Sequence, residues 1–442
     1  MIPNIFWHSL WQFFIGFIFY YPLFMSSLWI IGAIYFYLKN EKAVQSHLIP
    51  KLRVGETWEG VSILIPCFNE GENAVETITY ALNVAYPNFE VIAINDGSKD
   101  NTLEVLLELA RTNPKLKVVN LAENQGKALA LQAGALLAKN DYLVCIDGDA
   151  LLDRYCVHWM VKHFIRYPQV AAVTGNPRIR NRTTLLGKIQ VGEFSSIVGM
   201  IKRAQRAFGR LFTVSGVITG FRKSALHEAE YWSPDMLTED IDITWKLQRN
   251  GWDVRFEPKA LVWILMPETV KGLWKQRLRW AMGGFQVMLK NFKILFAPKQ
   301  THLWGLMIEM ILSTLWAYSM MLVFGVWIAS LFFPIGFLTP DSSPILPNET
   351  SVFLIVASLL QFAVSRWLDG HYDHGLGKNY FWMIWYPFFY WFINLITAVT
   401  AFPKVLFGKK ERARWVSPDR GVHQELYKQE TLDHEQTHTD HQ

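Results

Sequence analysis

The chain has 442 residues, more than one typical domain, and 51% of them are hydrophobic, which is high for a purely soluble enzyme. Its 43 basic and 38 acidic residues leave a formal charge of +5 with no long basic run interleaved with aromatics, so nucleic-acid binding is excluded. Three cysteines, Cys67, Cys145 and Cys156, are odd in number and lack metal-ligand spacing. They argue against a disulfide framework and against zinc, and read as buried thiols on a reducing side.

In chain order, the first element is an apolar stretch, Ile5 to Leu38, without a single Asp, Glu, Lys or Arg. No basic region precedes it and no small-residue cleavage site follows, so it reads as an anchor and not as a signal peptide. It is long for one helix, and Pro22 near its middle leaves open a kinked span or a re-entrant pair. Lys39, Lys42, Lys51 and Arg53 follow it, which places the next region in the cytosol by the positive-inside rule.

Residues 51–300 carry an ordinary mixture of charge. Short β-rich runs at Val61–Pro66, Phe89–Asn95, Lys117–Leu121, Tyr142–Ile146 and Val170–Thr174 alternate with helical stretches at about 72–86, 100–112, 127–139 and 153–166. Such alternation predicts an α/β domain of βαβ units with a mostly parallel sheet, whose ligands bind beyond the carboxyl ends of the strands. Three further charge-free stretches follow, at Met310–Pro340, Thr350–Ser365 and Asn379–Pro403. Each reaches or approaches the roughly 20 residues that a membrane-crossing helix needs. The expected organisation is a membrane segment or segments over 1–50, the sheet domain over 51–300, transmembrane helices over 301–410 and a polar tail over 411–442. The acidic stretch 334–350 should face outward, but a simple count of crossings would then leave the basic cluster Lys404, Lys409, Lys410, Arg412 and Arg414 outside as well. Either Tyr380–Phe392 lies in the interface or the topology is less regular, giving four or five crossings.

The predicted strand ends carry the chemistry. The second ends in Asn95-Asp96-Gly97-Ser98 and the fourth in Asp147-Gly148-Asp149. Carboxylates at i and i+2 on an extended strand end share a face. Two hard oxygen ligands at a rim suit Mg2+ or Mn2+, completed by substrate phosphates. Thr238-Glu239-Asp240 precedes a helix over about 241–249. It reads as a helix start, with Thr238 as N-cap and the acids in the first turn, or as the source of a general base. Gln276-Arg277-Leu278-Arg279-Trp280 reads as an interfacial amphipathic helix, or as an arginine fork for diphosphate beside an indole that stacks on a sugar. Lys127, after Asn124-Gln125-Gly126, is placed to approach a phosphate or is a solvated lysine at a helix start. His371 and His374 crowd with Asp369 and Asp373 in one short loop, and His423, His434, His438 and His441 lie in the polar tail.

Pro66-Cys67-Phe68-Asn69-Glu70, Asn95–Ser98, Asp147–Asp149, Thr238–Asp240 and Gln276–Trp280 occur in this order over about 215 residues. The series resembles the D, DxD, TED, QxxRW signature of processive family 2 glycosyltransferases, which include the cellulose, chitin and hyaluronan synthases. The length, the terminal membrane segments and Ser215-Gly-Val-Ile-Thr-Gly-Phe-Arg-Lys-Ser-Ala-Leu226 resemble most a branch that polymerises N-acetylglucosamine. The resemblance implies a GT-A (Rossmann-like) fold and an inverting transferase of the plasma membrane. Its substrates would be UDP-N-acetylglucosamine and a growing glycan chain. It places Asn69, Glu70, Asp96 and Lys127 around the nucleotide sugar, Asp147 at nucleotide and metal, and Asp149 as the main metal ligand. Asp240 would be the base, with Glu239 beside it. Gln276 and Arg279 would hold the diphosphate, and Trp280 would stack beneath the acceptor. In Gram-negative relatives a small membrane subunit accompanies the synthase and cyclic di-GMP activates it. Nothing in these residues points to either. A chitin-, hyaluronan- or cellulose-type product, a single-addition transferase, and a non-enzymatic nucleotide-binding scaffold are the alternatives.

Overall fold

The computed structural model describes residues 2–41, 49–333, 349–373, 375–383, 386–409 and 412–414. The expectations for Lys42, Asp341, His374, Lys410 and the four tail histidines fall outside these residues.

The first apolar stretch is one continuous helix, α1 (Ile2–Asn40), with Pro22 inside it. The sheet domain then follows as β1 (Val61–Cys67), α2 (Ala74–Leu82), β2 (Phe89–Asp96), α3 (Thr102–Thr112), β3 (Leu116–Leu121), α4 (Lys127–Leu137), β4 (Tyr142–Ile146) and β5 (Leu151–Leu152). It continues through α5 (Cys156–Arg166), β6 (Val170–Ile179), α6 (Leu185–Glu193), a π-helical stretch at Phe194–Ile201, α7 (Lys202–Ala207), β7 (Ile218–Arg222), α8 (Lys223–Glu228), α9 (Glu239–Arg249) and β8 (Asp253–Ile264). Helix α10 (Val270–Asn291) leads to the apolar helices α11 (Trp304–Ser330), α12 (Glu349–Asp369), α13 (Leu376–Met383) and α14 (Tyr386–Phe407).

One sheet of eight strands runs in the order β3-β2-β1-β4-β7-β6-β8-β5. The strands β3, β2, β1 and β4 are mutually parallel, β7 runs antiparallel to both neighbours, and β8 is parallel to β6. Strands β1 and β2 are buried along their whole length. This is why they read as unbroken apolar runs and not as alternating ones. On one face the sheet meets α2, α3 and α5 through Ile78, Leu106, Trp159 and Phe164. On the other it meets α4, α8 and α9 through Ala130, Leu131, Leu226 and Ile243. Since β1, β2 and β4 are adjacent and parallel, residues 69–70, 96 and 147–149 all emerge at one edge.

A third apolar layer, with Ile241 and Trp245 of α9, Phe285 and Met288 of α10, Met307 of α11 and Ala401 of α14, joins the sheet domain to the helices. The join is also polar. Arg203, fully buried, bonds Glu41 at the end of α1 through Nε and Nη2 (2.7 and 2.9 Å) and Asp369 at the end of α12 through Nη1 (2.7 Å). Arg178 of β6 reaches the second Asp369 oxygen at 2.8 Å. Asp373 takes both terminal nitrogens of Arg182. These acids, crowded in the sequence with His371, are thus held by arginines.

Three described helices are long and apolar enough to cross a membrane: Trp7–Asn40, Pro298–Ser330 and Val352–Asp369. The last apolar segment, left open between an interfacial stretch and a less regular topology, is two helices. Helix α14 runs antiparallel to α11, since Phe392 packs on Phe324 and Phe402 on Tyr318. The chain therefore returns toward the sheet, where Ala413 N donates to Pro234 O (2.9 Å) and Arg412 contacts Gln125. Residues 412–414 thus lie against the sheet domain.

Candidate active site

Each acidic motif is held by its own local chemistry. Asn69 sits in the left-handed region (φ 54), its N–H donates to Ser98 Oγ (3.0 Å), and its Oδ1 accepts from Lys99 N (2.9 Å). Glu70, 1% exposed, accepts from Asn73 Nδ2 at 3.0 Å. A side chain on Gly148 would come within 3.0 Å of Glu70 Cγ and 3.2 Å of Pro66 O. The glycine is therefore required by close approach, and Thr77 Oγ1 pins its carbonyl at 3.0 Å. In this way β1 fixes the turn after β4. Asp149 is 8% exposed within that turn.

Asp96 reaches the same edge but is fully buried. Its two oxygens accept from Gln125 N (2.7 Å) and Gly126 N (2.9 Å), so it secures the loop that delivers Lys127. Burial raises the Asp96 carboxyl above its ordinary value, against these two backbone N–H groups.

Lys127 is the centre of the arrangement. Its Nζ lies 2.6 Å from Asp147 Oδ1 and 3.1 Å from Glu239 Oε1, and it donates to Gly216 O at 3.0 Å. One ammonium thus joins the strand-end motif to the helix-start motif 90 residues later in the chain. Burial alone would lower its pKa, but Asp147 and Glu239 hold it well above the usual lysine range.

Glu239 and Asp240 open α9 and are driven apart by their surroundings. Burial would raise Glu239, yet Lys127, the backbone and Arg279 hold it below its ordinary value. Asp240 is pushed up to about 6 by burial and then by Glu239, against Lys127, the Ile241 N–H and Arg279. Its Oδ2 accepts from Gly216 N (3.1 Å) and its Oδ1 from Ile241 N (2.9 Å). A carboxylate titrating near the working pH is an effective base, whereas one anchored to a lysine is not.

Thr238 does not cap α9. Its hydroxyl makes no capping bond and is buried without a hydrogen-bond partner among the described residues. Instead its side chain packs where a Cβ on Gly283 would collide with it. That close crossing, together with Lys290 on Asp242 (2.7 Å), fixes α10 against α9. It brings Arg279 of the Gln276–Trp280 motif within electrostatic reach of the acids. Arg279 is exposed and acts electrostatically on both Glu239 and Asp240. Gln276 Oε1 is buried with no hydrogen-bond partner among the described residues. Arg277 turns away to Glu193 (2.6 Å) and lies 4.3 Å over the Trp280 ring.

Of the sequence-predicted residues, Asn69, Glu70, Asp96, Lys127, Asp147 and Asp149 gather at the strand edge. Glu239 and Asp240 join it from α9 through Lys127 and Gly216, and Arg279 acts on both acids from α10, the helix that also carries Gln276 and Trp280. Gly216 and Glu193 are the partners that sequence reasoning missed. The Ser215–Leu226 stretch signalled the first only as part of a resemblance, and nothing in the local pattern signals the second.

The donor set fits a hard divalent cation. Asp147 and Asp149 offer carboxylate oxygens, and the buried Asp147 Oδ1 has no hydrogen-bond partner among the described residues although Lys127 lies beside it. No group of three or more His, Cys, Asp or Glu residues suited to a metal occurs among the described residues. The site thus matches a cation that takes one or two carboxylates and completes its shell with substrate phosphates.

Comparison with known proteins identifies the family and the fold. A family model described as Glycosyltransferase like family 2 matches residues 59–283. The chain is 41% identical over 409 residues to the poly-beta-1,6-N-acetyl-D-glucosamine synthase of Staphylococcus epidermidis, covering 92% of this chain and 98% of that protein. The protein of the same name from Staphylococcus aureus (strain COL) is 42% identical over the same span. Among solved structures, a mannosyltransferase from Pyrobaculum calidifontis in complex with GDP-Man and Mn2+ aligns with TM-score 0.54 and 19% identity, covering 88% of this chain and 99% of that one. This last likeness supports the GT-A-like fold.

Proposed function

Since this chain belongs to the glycosyltransferase-like family 2, we propose that it polymerises N-acetylglucosamine from UDP-N-acetylglucosamine into β-1,6-linked poly-N-acetylglucosamine, a biofilm-matrix polysaccharide, at the inner face of the plasma membrane. The observation that carries the reading is the Lys127 bridge, which draws Asp147, Glu239 and, through Gly216, Asp240 into one site.

In the reaction, the 6-hydroxyl of the terminal sugar attacks the anomeric carbon of the donor in line. The new C–O bond forms as the bond to UDP breaks, turning an α-linked donor into a β-linked product. Asp240 takes the hydroxyl proton. Gln276 and Arg279 face the leaving diphosphate, and Trp280 offers a ring surface to the acceptor. Asp149 and Asp147 would hold Mg2+ or Mn2+, which supplies charge neutralisation to the diphosphate. No general acid is required, in contrast to glycosidases, whose leaving oxygen must be protonated.

The test is to incubate membranes containing the protein with a panel of UDP-sugars and digest the product with linkage-specific hydrolases. UDP release and a polymer cut only by a β-1,6-hexosaminidase are expected with UDP-N-acetylglucosamine. A product cut by chitinase or hyaluronidase instead would refute the assignment of sugar and linkage. EDTA should abolish turnover and added Mn2+ or Mg2+ restore it, and activity that survives exhaustive chelation would remove Asp147 and Asp149 from the metal role.

Trp280→Ala should shorten the polymer or stop it, because the sliding contact for the chain end is lost while the base and the diphosphate site stay in place. Product size on a gel checks this, and an unchanged length distribution would count against stacking.

On this reading α1, α11, α12 and the α13–α14 pair cross or enter the bilayer. Residues 412–414 then lie in the cytosol.

A further inference from the structure

Lys202 begins α7 immediately after the π-helical stretch Phe194–Ile201, and it is only 6% exposed. Its neighbour Arg203 is fully paired with Glu41 and Asp369. Lys202 differs. It is in ion-pair contact with no carboxylate among the described residues, and its Nζ donates to Thr174 Oγ1 at 3.4 Å. That hydroxyl also accepts from Ser215 N (2.8 Å), and the next amide, Gly216 N, donates to Asp240 Oδ2 (3.1 Å). Thr174, Ser215 and Gly216 therefore stand between a buried ammonium and the carboxylate of the base.

A buried, unpaired ammonium is costly to keep unless something offsets it. Desolvation does pull Lys202 down to about 7, and Asp240 is the opposing influence. Around Asp240 the charged groups are Glu239 on its own helix, Lys127 from α4 and Arg279 from α10, with Lys202 behind the Ser215–Gly216 turn. Lys127 is already shared with Asp147 and Glu239, and Arg279 is solvent-exposed. Lys202 is the buried cation among them with no carboxylate in ion-pair contact among the described residues.

We infer that Lys202 is a positioning residue for the transfer step: its ammonium, held behind the Ser215–Gly216 turn, keeps Asp240 ionised and ready to take the acceptor proton. The inference rests on the transferase reading above. It adds a cation to the site behind the Ser215–Gly216 turn. When Asp240 accepts a proton its negative charge disappears, and the interaction that favours a charged Lys202 disappears with it. The base and the lysine are thus linked in their protonation. Removing the lysine charge makes Asp240 harder to ionise, so the acid limb of the rate profile moves to higher pH.

The test is the pH dependence of UDP release from UDP-N-acetylglucosamine at saturating donor, measured for wild type, Lys202→Met and Lys202→Arg in membranes. Lys202→Met should shift the acid limb to higher pH, because an opposite charge that favours the ionised carboxylate is gone. Lys202→Arg, cationic at every pH, should leave that limb at or below the wild-type position. Methionine matches the lysine stem and removes a buried charge, a change that folds usually tolerate. If Lys202→Met is nevertheless absent from the membrane, the arginine variant decides alone, and an upward shift with it overturns the inference. A uniform loss of rate by Lys202→Met with the limb unmoved also overturns it, since that is what a merely structural lysine would give. Wild type that releases no UDP from any UDP-sugar would overturn the transferase reading itself, and the inference with it.

Discussion

Asp240→Asn is expected to lower polymer synthesis by about 10²–10⁴-fold, the usual cost of removing a positioned base. The substitution preserves shape, and an amide oxygen can still accept from Gly216 N and Ile241 N, as Asp240 does. What is lost is the ability to hold a proton. Donor binding, which depends on the strand edge and on α10, should therefore survive. Titration of the variant with UDP-N-acetylglucosamine, read beside its turnover, separates the two. Near-wild-type turnover by Asp240→Asn would shift the base role elsewhere. Glu239 is the poorer candidate, because its carboxylate is already bound to Lys127 at 3.1 Å and held in its ionised form.

Lys127→Met is expected to be the most damaging single change in the strand-edge half of the site. It leaves Asp147 and Glu239 partly buried without their shared cation, and Gly216 O without its donor. Breaking a buried ion pair from one side costs about 3–5 kcal/mol. Both the thermal midpoint of the detergent-solubilised protein and its turnover should fall. Added Mn2+ should restore part of the variant's stability, because a divalent cation at Asp147 replaces some of the missing positive charge. A variant as stable as wild type would mean that Lys127 is not what holds the two motifs together.

The sequence makes the sheet domain legible because its signals are local. The unbroken apolar runs of β1 and β2 are strands buried on both faces, and the carboxylates Asp96, Asp147 and Asp149 follow strand ends that a parallel sheet must bring to one edge. Glu239–Asp240 and Gln276–Trp280 are legible as an ordered series and not as a shape. Their approach to the strand edge depends on Gly283 meeting Thr238 and on Lys290 meeting Asp242, contacts between residues 45 and 48 positions apart that no periodicity encodes. Thr238 shows the limit of local reasoning. It has the composition of an N-cap, but the crossing of α10 uses its side chain for packing. Asp96 shows another, because its strand-end position is visible in the sequence while the two amides that occupy its oxygens are not. The membrane half was harder to read for a related reason. Charge-free stretches mark helices without saying where one breaks, and the division of 376–407 into α13 and α14 is what returns Arg412 to the sheet.

Arg203 has a consequence for how a polymer can advance. The C-terminal ends of α1 and α12 and the start of α7 are tied to one guanidinium, and Arg178 fastens β6 to the same Asp369. A hinge between the sheet domain and the apolar helices would have to strand buried charges at every sugar added. The frame is therefore expected to stay rigid during synthesis, with the glycan itself as the moving part, sliding one residue outward past fixed walls.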